Sequence, residues 1–292
     1  MVHDRIDVSR STRLSAARCV LISALAAGLA GVTYWLAAGT ADGRELDAYL
    51  LRHGSHGIVE LIGDTLIILV PVVAAFGALA LFWTAWRAGR RGDAIRAVAI
   101  IAVAAVAARV AKMALEDRDP LGDEAARQLG AEFFPSGHAA IVMALCIATL
   151  LVAPLPRGRL LLVVGVYASL MGFAISAGRT HHISDVYGAF LLALAVGALG
   201  LVGRAPAPAE RSETTERLGG ARTVLAIAAI VVGILLLESW RIIGEPHYLP
   251  GLAATATAVS VLAFVILAGC ERLVCAPCCA QGDPLRSSPR YR

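Results

Sequence analysis

The sequence predicts an all-α, polytopic transmembrane helical bundle. Three observations carry this reading. Of the 292 residues, 58% are hydrophobic and only 16% are charged, against roughly 25% charged in a soluble domain. The mean hydropathy is +0.72. The apolar residues fall into eight long blocks, each near the ~20 residues that cross a hydrocarbon core as a helix. The same composition excludes a disordered chain, a nucleic-acid-binding domain and an ordinary soluble enzyme. A net charge of +4 is too small to imply a polyanionic partner.

In chain order the blocks run 18–38, 60–86, 95–115, 137–155, 159–179, 185–203, 223–240 and 251–270. Each must satisfy its own backbone hydrogen bonds in lipid, so each is expected as a helix. The first exceeds the roughly 7–15 apolar residues of a signal peptide and reads as a retained span. Small residues from Ala37 to Ala41 leave cleavage open. Residues 204–222, RAPAPAERSETTERLGGAR, form a polar linker. It divides the chain into a six-span core (1–203), the linker, a two-span hairpin (223–270) and a tail (271–292). Cys275, Cys278 and Cys279 in that tail have no second ligand pair at zinc spacing and read as a reduced juxtamembrane cluster.

Loop arginines set the expected orientation. With a cytoplasmic N-terminus, 18 of the 26 basic residues fall in cytoplasmic segments and 7 in outer segments or their helix ends, with Arg109 inside a span. Both termini are therefore expected in the cytosol. The outer loops are then 39–59, 116–136, 180–184 and 241–250.

Chemistry-bearing residues collect at the outer ends of spans, where ionisable groups are costly and usually functional. Pro135-Ser136-Gly137-His138 opens the fourth span. Pro and Ser suit a helix start, Gly137 permits close approach to the backbone, and helix N-terminal amides bind anions. His138 can exchange a proton near neutral pH. Arg179-Thr180-His181-His182-Ile183-Ser184-Asp185 lies between spans five and six. His181 and Asp185 share a face if the stretch is helical; if Ser184 caps the sixth helix, His181 still folds back on Asp185. In either case the carboxylate fixes the imidazole tautomer and leaves the other nitrogen to attack. His182 reads as an interfacial neighbour. The third segment, KMALEDRDP, runs from Lys112 to Pro120 and supplies Lys112 and Arg118 as fixed cations for phosphoryl oxygens. Lys112 is the one lysine among 25 arginines.

Taken in order, these segments resemble the type 2 phosphatidic acid phosphatase family of integral membrane lipid phosphatases, with its motifs K-x6-R-P, P-S-G-H and S-R-x5-H-x3-D. The resemblance covers roughly residues 18–203. Pro135–His138 matches in full, as do His181 and Asp185, followed by Val186-Tyr187-Gly188. Two arginines are displaced. Asp119 stands where the first motif has Arg, with Arg118 one residue earlier, and Ile175 stands where the third has Arg, with Arg179 two residues before His181.

The resemblance implies metal-independent hydrolysis of a lipid phosphate at the extracytoplasmic face, with no cofactor. In that scheme His181 is the nucleophile, Asp185 orients it, and His138 is the general acid and base. Lys112, Arg118, Arg179, Ser136 and the Gly137 amide hold the phosphate oxygens. Polyprenyl diphosphate, phosphatidic acid and phosphatidylglycerol phosphate all suit such a site. A lipid phosphotransferase using the same histidine chemistry, and a non-catalytic transporter or binding protein, remain open alternatives, as does the oligomeric state.

Overall fold

The computed structural model describes residues 2–45, 47, 58–116, 134–153, 157–177, 181–204 and 259–270. They form an all-α bundle. In chain order the helices are α1 (Val2–Gly39), α2 (Ile58–Arg87), α3 (Arg91–Glu116), α4 (Gly137–Val152), α5 (Arg157–Ala177), α6 (Ile183–Gly200) and α7 (Val259–Cys270). Among the described residues, five stretches are long and apolar enough to cross a membrane: Ala16–Gly39, Gly63–Arg87, Arg91–Leu115, Gly158–Ser176 and Ile183–Gly200. The chain is a multi-pass membrane protein. The expected span 223–240 and the linker beyond Arg204 lie outside the described residues.

α4 is the axis of the bundle. It packs against α2, α3, α5 and α6, while α1 packs on α6 and α3 also reaches α6. Its side chains are buried almost throughout, from Ala139 to Val152. The outer helices instead turn apolar side chains outward. Leu61, Ile68 and Phe76 of α2 are 65%, 73% and 70% exposed, an apolar surface that only lipid covers without penalty. The α3–α4 contact is built from small residues. Ala97, Ala104 and Ala108 of α3 and Ala140, Ala144 and Ala148 of α4 are all fully buried, the composition that lets helices approach closely where lipid removes the hydrophobic drive.

The fourth span is shorter than expected. Hydropathy continues to 155, but α4 ends at Val152 and has 16 residues, about 24 Å at 1.5 Å per residue. Ala153 caps it with φ −65° and ψ 136°. That extended geometry is what the following Pro154 demands of the residue before it. A helix sheathed by four others meets little lipid, so it is free to be shorter than the bilayer core. The last expected span is described only as α7, which docks on the core. A Cβ at Gly165 of α5 would strike the Phe264 ring of α7, and one at Gly172 would lie 2.6 Å from Val259.

Polar clamps close the two ends of the bundle. At one end Asp93 on α3 receives Arg90 at 2.6 Å and Arg204 at 3.1 Å. Arg90 also donates to the carbonyls of Leu151, at 2.7 Å, and Val152, at 3.2 Å, which are C-terminal carbonyls of α4 with no partner inside that helix. The histidines occupy the opposite end.

Candidate active site

The site is assembled from the N-termini of α4 and α6. Ser136 caps α4, its hydroxyl oxygen accepting from the Ala139 amide at 3.3 Å, as Ser does at a helix start. The Ser136 amide in turn donates to the Asp185 carbonyl at 3.1 Å. This single backbone bond splices the PSGH segment onto the first turn of α6. One step upstream, the tip of the Phe134 ring abuts Gly188, where any Cβ would collide with it. Tyr34 of α1 also contacts that ring, at a centroid distance of 5.3 Å. Gly188 therefore serves as the seat for Phe134, which brings the start of α4 down onto α6.

The local geometry of α6 differs from the capping expected at Ser184. The cap is His182, in an extended conformation with φ −66° and ψ 155°. Asp185 reaches back so that its Oδ2 accepts the His182 amide at 3.0 Å. This is the reciprocal arrangement by which an acid at the third helical position closes a helix start. His182 is thus part of the turn that carries Asp185, more than the interfacial neighbour the sequence implied.

The two splices bring the histidines together. The rings of His138 and His181 face edge to plane, with centroids 6.2 Å apart and an interplanar angle of 65°. Nδ1 of His181 lies 3.5 Å from Oδ2 of Asp185. That is ion-pair distance and a little long for a hydrogen bond. His181, Asp185 and Ser136 are buried, with exposures of 1%, 3% and 0%, whereas His138 is half-buried. The Asp185 carboxylate thus lies on the Nδ1 side of the His181 ring. Among the described residues, a Cβ added at Gly137 would meet nothing within 4 Å. Their close packing thus opens at the first residue of α4, beside the half-buried His138.

Of the expected phosphate-holding residues, Ser136 and Gly137 are in this cluster. Lys112 is half-buried on α3, four residues before its last residue, Glu116. Arg118 and Arg179 lie outside the described residues.

One residue at the site carried no sequence signal. Asp47, beyond the end of α1, is buried against the start of α6. Its carboxylate accepts both the hydroxyl and the amide of Ser184, the amide at 3.4 Å. Burial pushes its pKa above the usual carboxylate value. The neighbouring Asp185 adds to that rise, while Ser184 and His182 oppose it.

Two facing imidazoles, one backed by a carboxylate, thus lie beside a helix start. In comparison with known proteins, residues 114–206 match the PAP2 superfamily. The matched stretch runs from the end of α3 through α6 and contains His138, His181 and Asp185. Among curated proteins and among solved structures, none matches the chain. The family match supports a phosphatase-type activity in a membrane.

Proposed function

We propose that this protein hydrolyses a lipid phosphate or polyprenyl (di)phosphate at the extracytoplasmic face of the membrane, without metal, through a phosphohistidine intermediate. The observation that carries the proposal is the pairing of His138 and His181 at 6.2 Å with Asp185 behind the second ring.

Each step follows from this placement. Nε2 of His181 attacks phosphorus in line, forming a P–N bond as the ester P–O bond breaks. His138, protonated, gives its proton to the departing oxygen. A water molecule then attacks the phosphohistidine while His138 takes its proton, the P–N bond breaks, and inorganic phosphate leaves. Asp185 holds Nδ1–H and offsets the positive charge on the imidazole. Phosphoryl transfer asks chiefly for positioning and charge stabilisation. Lys112, Arg118 and Arg179 supply the charge, and Ser136 and the Gly137 amide supply hydrogen-bond donors at a helix start. Loop arginines support placing the histidine end outside the cytosol. There a lipid with its tail in the bilayer reaches the helix starts laterally.

The test is phosphate release from a panel of lipid phosphates by the purified protein in EDTA. Parent activity is expected to persist in chelator. His181→Ala and His138→Ala are each expected to fall by about 10²–10⁴-fold. A requirement for a divalent cation, or activity surviving both changes, overturns the mechanism. Transfer to an added alcohol in preference to water assigns the chain as a phosphotransferase instead.

A further inference from the structure

We propose that Asp47 is a positioning residue for the His181–Asp185 pair: by holding both the amide and the hydroxyl of Ser184, it fixes the turn from which Asp185 reaches His181. The inference rests on the phosphohistidine reading above and adds a residue that lies outside all three motifs and outside the PAP2-matched stretch.

Three observations meet here. First, the contact is long-range and bidentate. A carboxylate 137 positions away in sequence takes two donors from one residue, one on each oxygen. Second, the same turn is tied at two other points: the Asp185 carboxylate takes the His182 amide, and the Asp185 carbonyl takes the Ser136 amide. Residues 182–185 are thus held from the α1 side by Asp47 and from α4 by Ser136, with the His181–Asp185 contact between. Third, Asp47 is buried, and burying a carboxylate is costly unless strong hydrogen bonds repay it; here the two donors of Ser184 supply them.

The arrangement also divides labour between two helix starts. At α6 the free amides of the first turn face carboxylates of the protein itself, Asp47 and Asp185. At α4 the first residue is Gly137, with open space beside it. The phosphate is accordingly received at the start of α4, with its phosphorus beside the ring of His181, which immediately precedes the cap of α6. Asp47 acts on the orientation of the nucleophile and does not touch the phosphate. Its loss is accordingly expected to lower kcat while leaving binding intact.

The experiment uses the full chain in detergent with short-chain phosphatidic acid as substrate and inorganic phosphate as competing product. Asp47→Asn keeps the shape and removes the charge. Its kcat is expected to fall by roughly 10- to 100-fold, the usual cost of about 1 Å of misplacement at a reacting centre. KM and the inhibition constant for phosphate are expected to stay within about twofold. In an Asp185→Asn background, adding Asp47→Asn is expected to change the residual rate by less than about twofold, because coupled residues do not add. Parent kcat in Asp47→Asn overturns the proposal, as does a full multiplicative loss in the double variant or a KM that rises in step with the fall in kcat. Should Asp47→Asn fail to fold, Ser184→Ala, which keeps the carboxylate and removes one donor, is judged by the same kcat and KM criteria. A parent that releases no phosphate from any lipid sinks the phosphatase reading and this proposal with it. An active parent whose Asp47 and Ser184 variants match it sinks this proposal alone.

Discussion

Gly188→Ala separates the splice between α4 and α6 from the chemistry it supports. An added Cβ at this position would collide with the Phe134 ring, with Cε1 at 3.0 Å and the two other ring atoms nearer still, where ordinary contact begins at 3.4 Å. Overpacking of this kind costs about 1–3 kcal/mol. Replacing a mid-helix Gly by Ala returns about 1 kcal/mol of helix propensity. The net loss of stability is therefore small, about 0–2 kcal/mol, and the protein is expected to fold. Phe134, however, must retreat, and Ser136, two residues on, loses its 3.1 Å bond to the Asp185 carbonyl. His138 then moves away from His181. A displacement of about 1 Å costs on the order of 10²-fold in rate. The assay is phosphate release beside thermal unfolding, with Phe134→Leu added in the same chain to relieve the collision. The expected pattern is a large loss of kcat with nearly parental unfolding, partly restored by Phe134→Leu. Parental kcat in Gly188→Ala refutes the role given to this seat.

Three shorter predictions probe other parts of the molecule. Gly137→Ala adds a Cβ that meets no atom of the described residues within 4 Å, so its thermal unfolding is expected to match the parent while KM for lipid phosphate rises and competitive inhibition by phosphate weakens. Asp93→Ala leaves Arg90 and Arg204 without their shared carboxylate. It is expected to cost about 1–3 kcal/mol in denaturant unfolding, with KM unchanged because the clamp lies at the far end of α4. The Asp47 carboxyl titrates above its usual value because it is buried. Its folded form therefore holds a proton that the unfolded chain releases from about pH 3.9. The parent then loses stability as pH rises from there to the folded pKa. Unfolding temperatures measured from pH 4 to 7 are expected to show Asp47→Asn gaining on the parent as pH rises; a constant difference contradicts that titration.

Much of this was legible in the residues because membranes and motifs leave local signatures. Block lengths pointed to the five long apolar helices found among the described residues, since lipid forbids unpaired backbone. The segments PSGH and His181–Asp185 were legible as candidate site residues because both sit at helix starts, where polar groups cost most, and the fold brings them together. The end of α4 was misjudged because hydropathy averages over residues, whereas Pro154 acts on the geometry of Ala153 alone. Ser184 looks like a cap by type, but a cap is chosen by the whole turn. Once Asp185 closes on the His182 amide, the Ser184 hydroxyl is released to Asp47. Asp47 itself carries no pattern, because its meaning comes from a partner 137 positions later. Arg90, Arg204 and Asp93 were readable as charges and useful for orientation. Their joint clamp across α3, α4 and the end of α6 is a product of packing that no sequence window contains.

Rapid-quench trapping with ³²P-labelled lipid phosphate probes the paired imidazoles at their point of action. The expected product is an acid-labile, alkali-stable phosphoenzyme whose label maps to the peptide containing His181. It should be absent in His181→Ala and, with a labelled lipid of good leaving group, accumulate in His138→Ala because water is no longer activated. Label on any other residue, or turnover by the parent with no trapped phosphohistidine at any quench time, contradicts it.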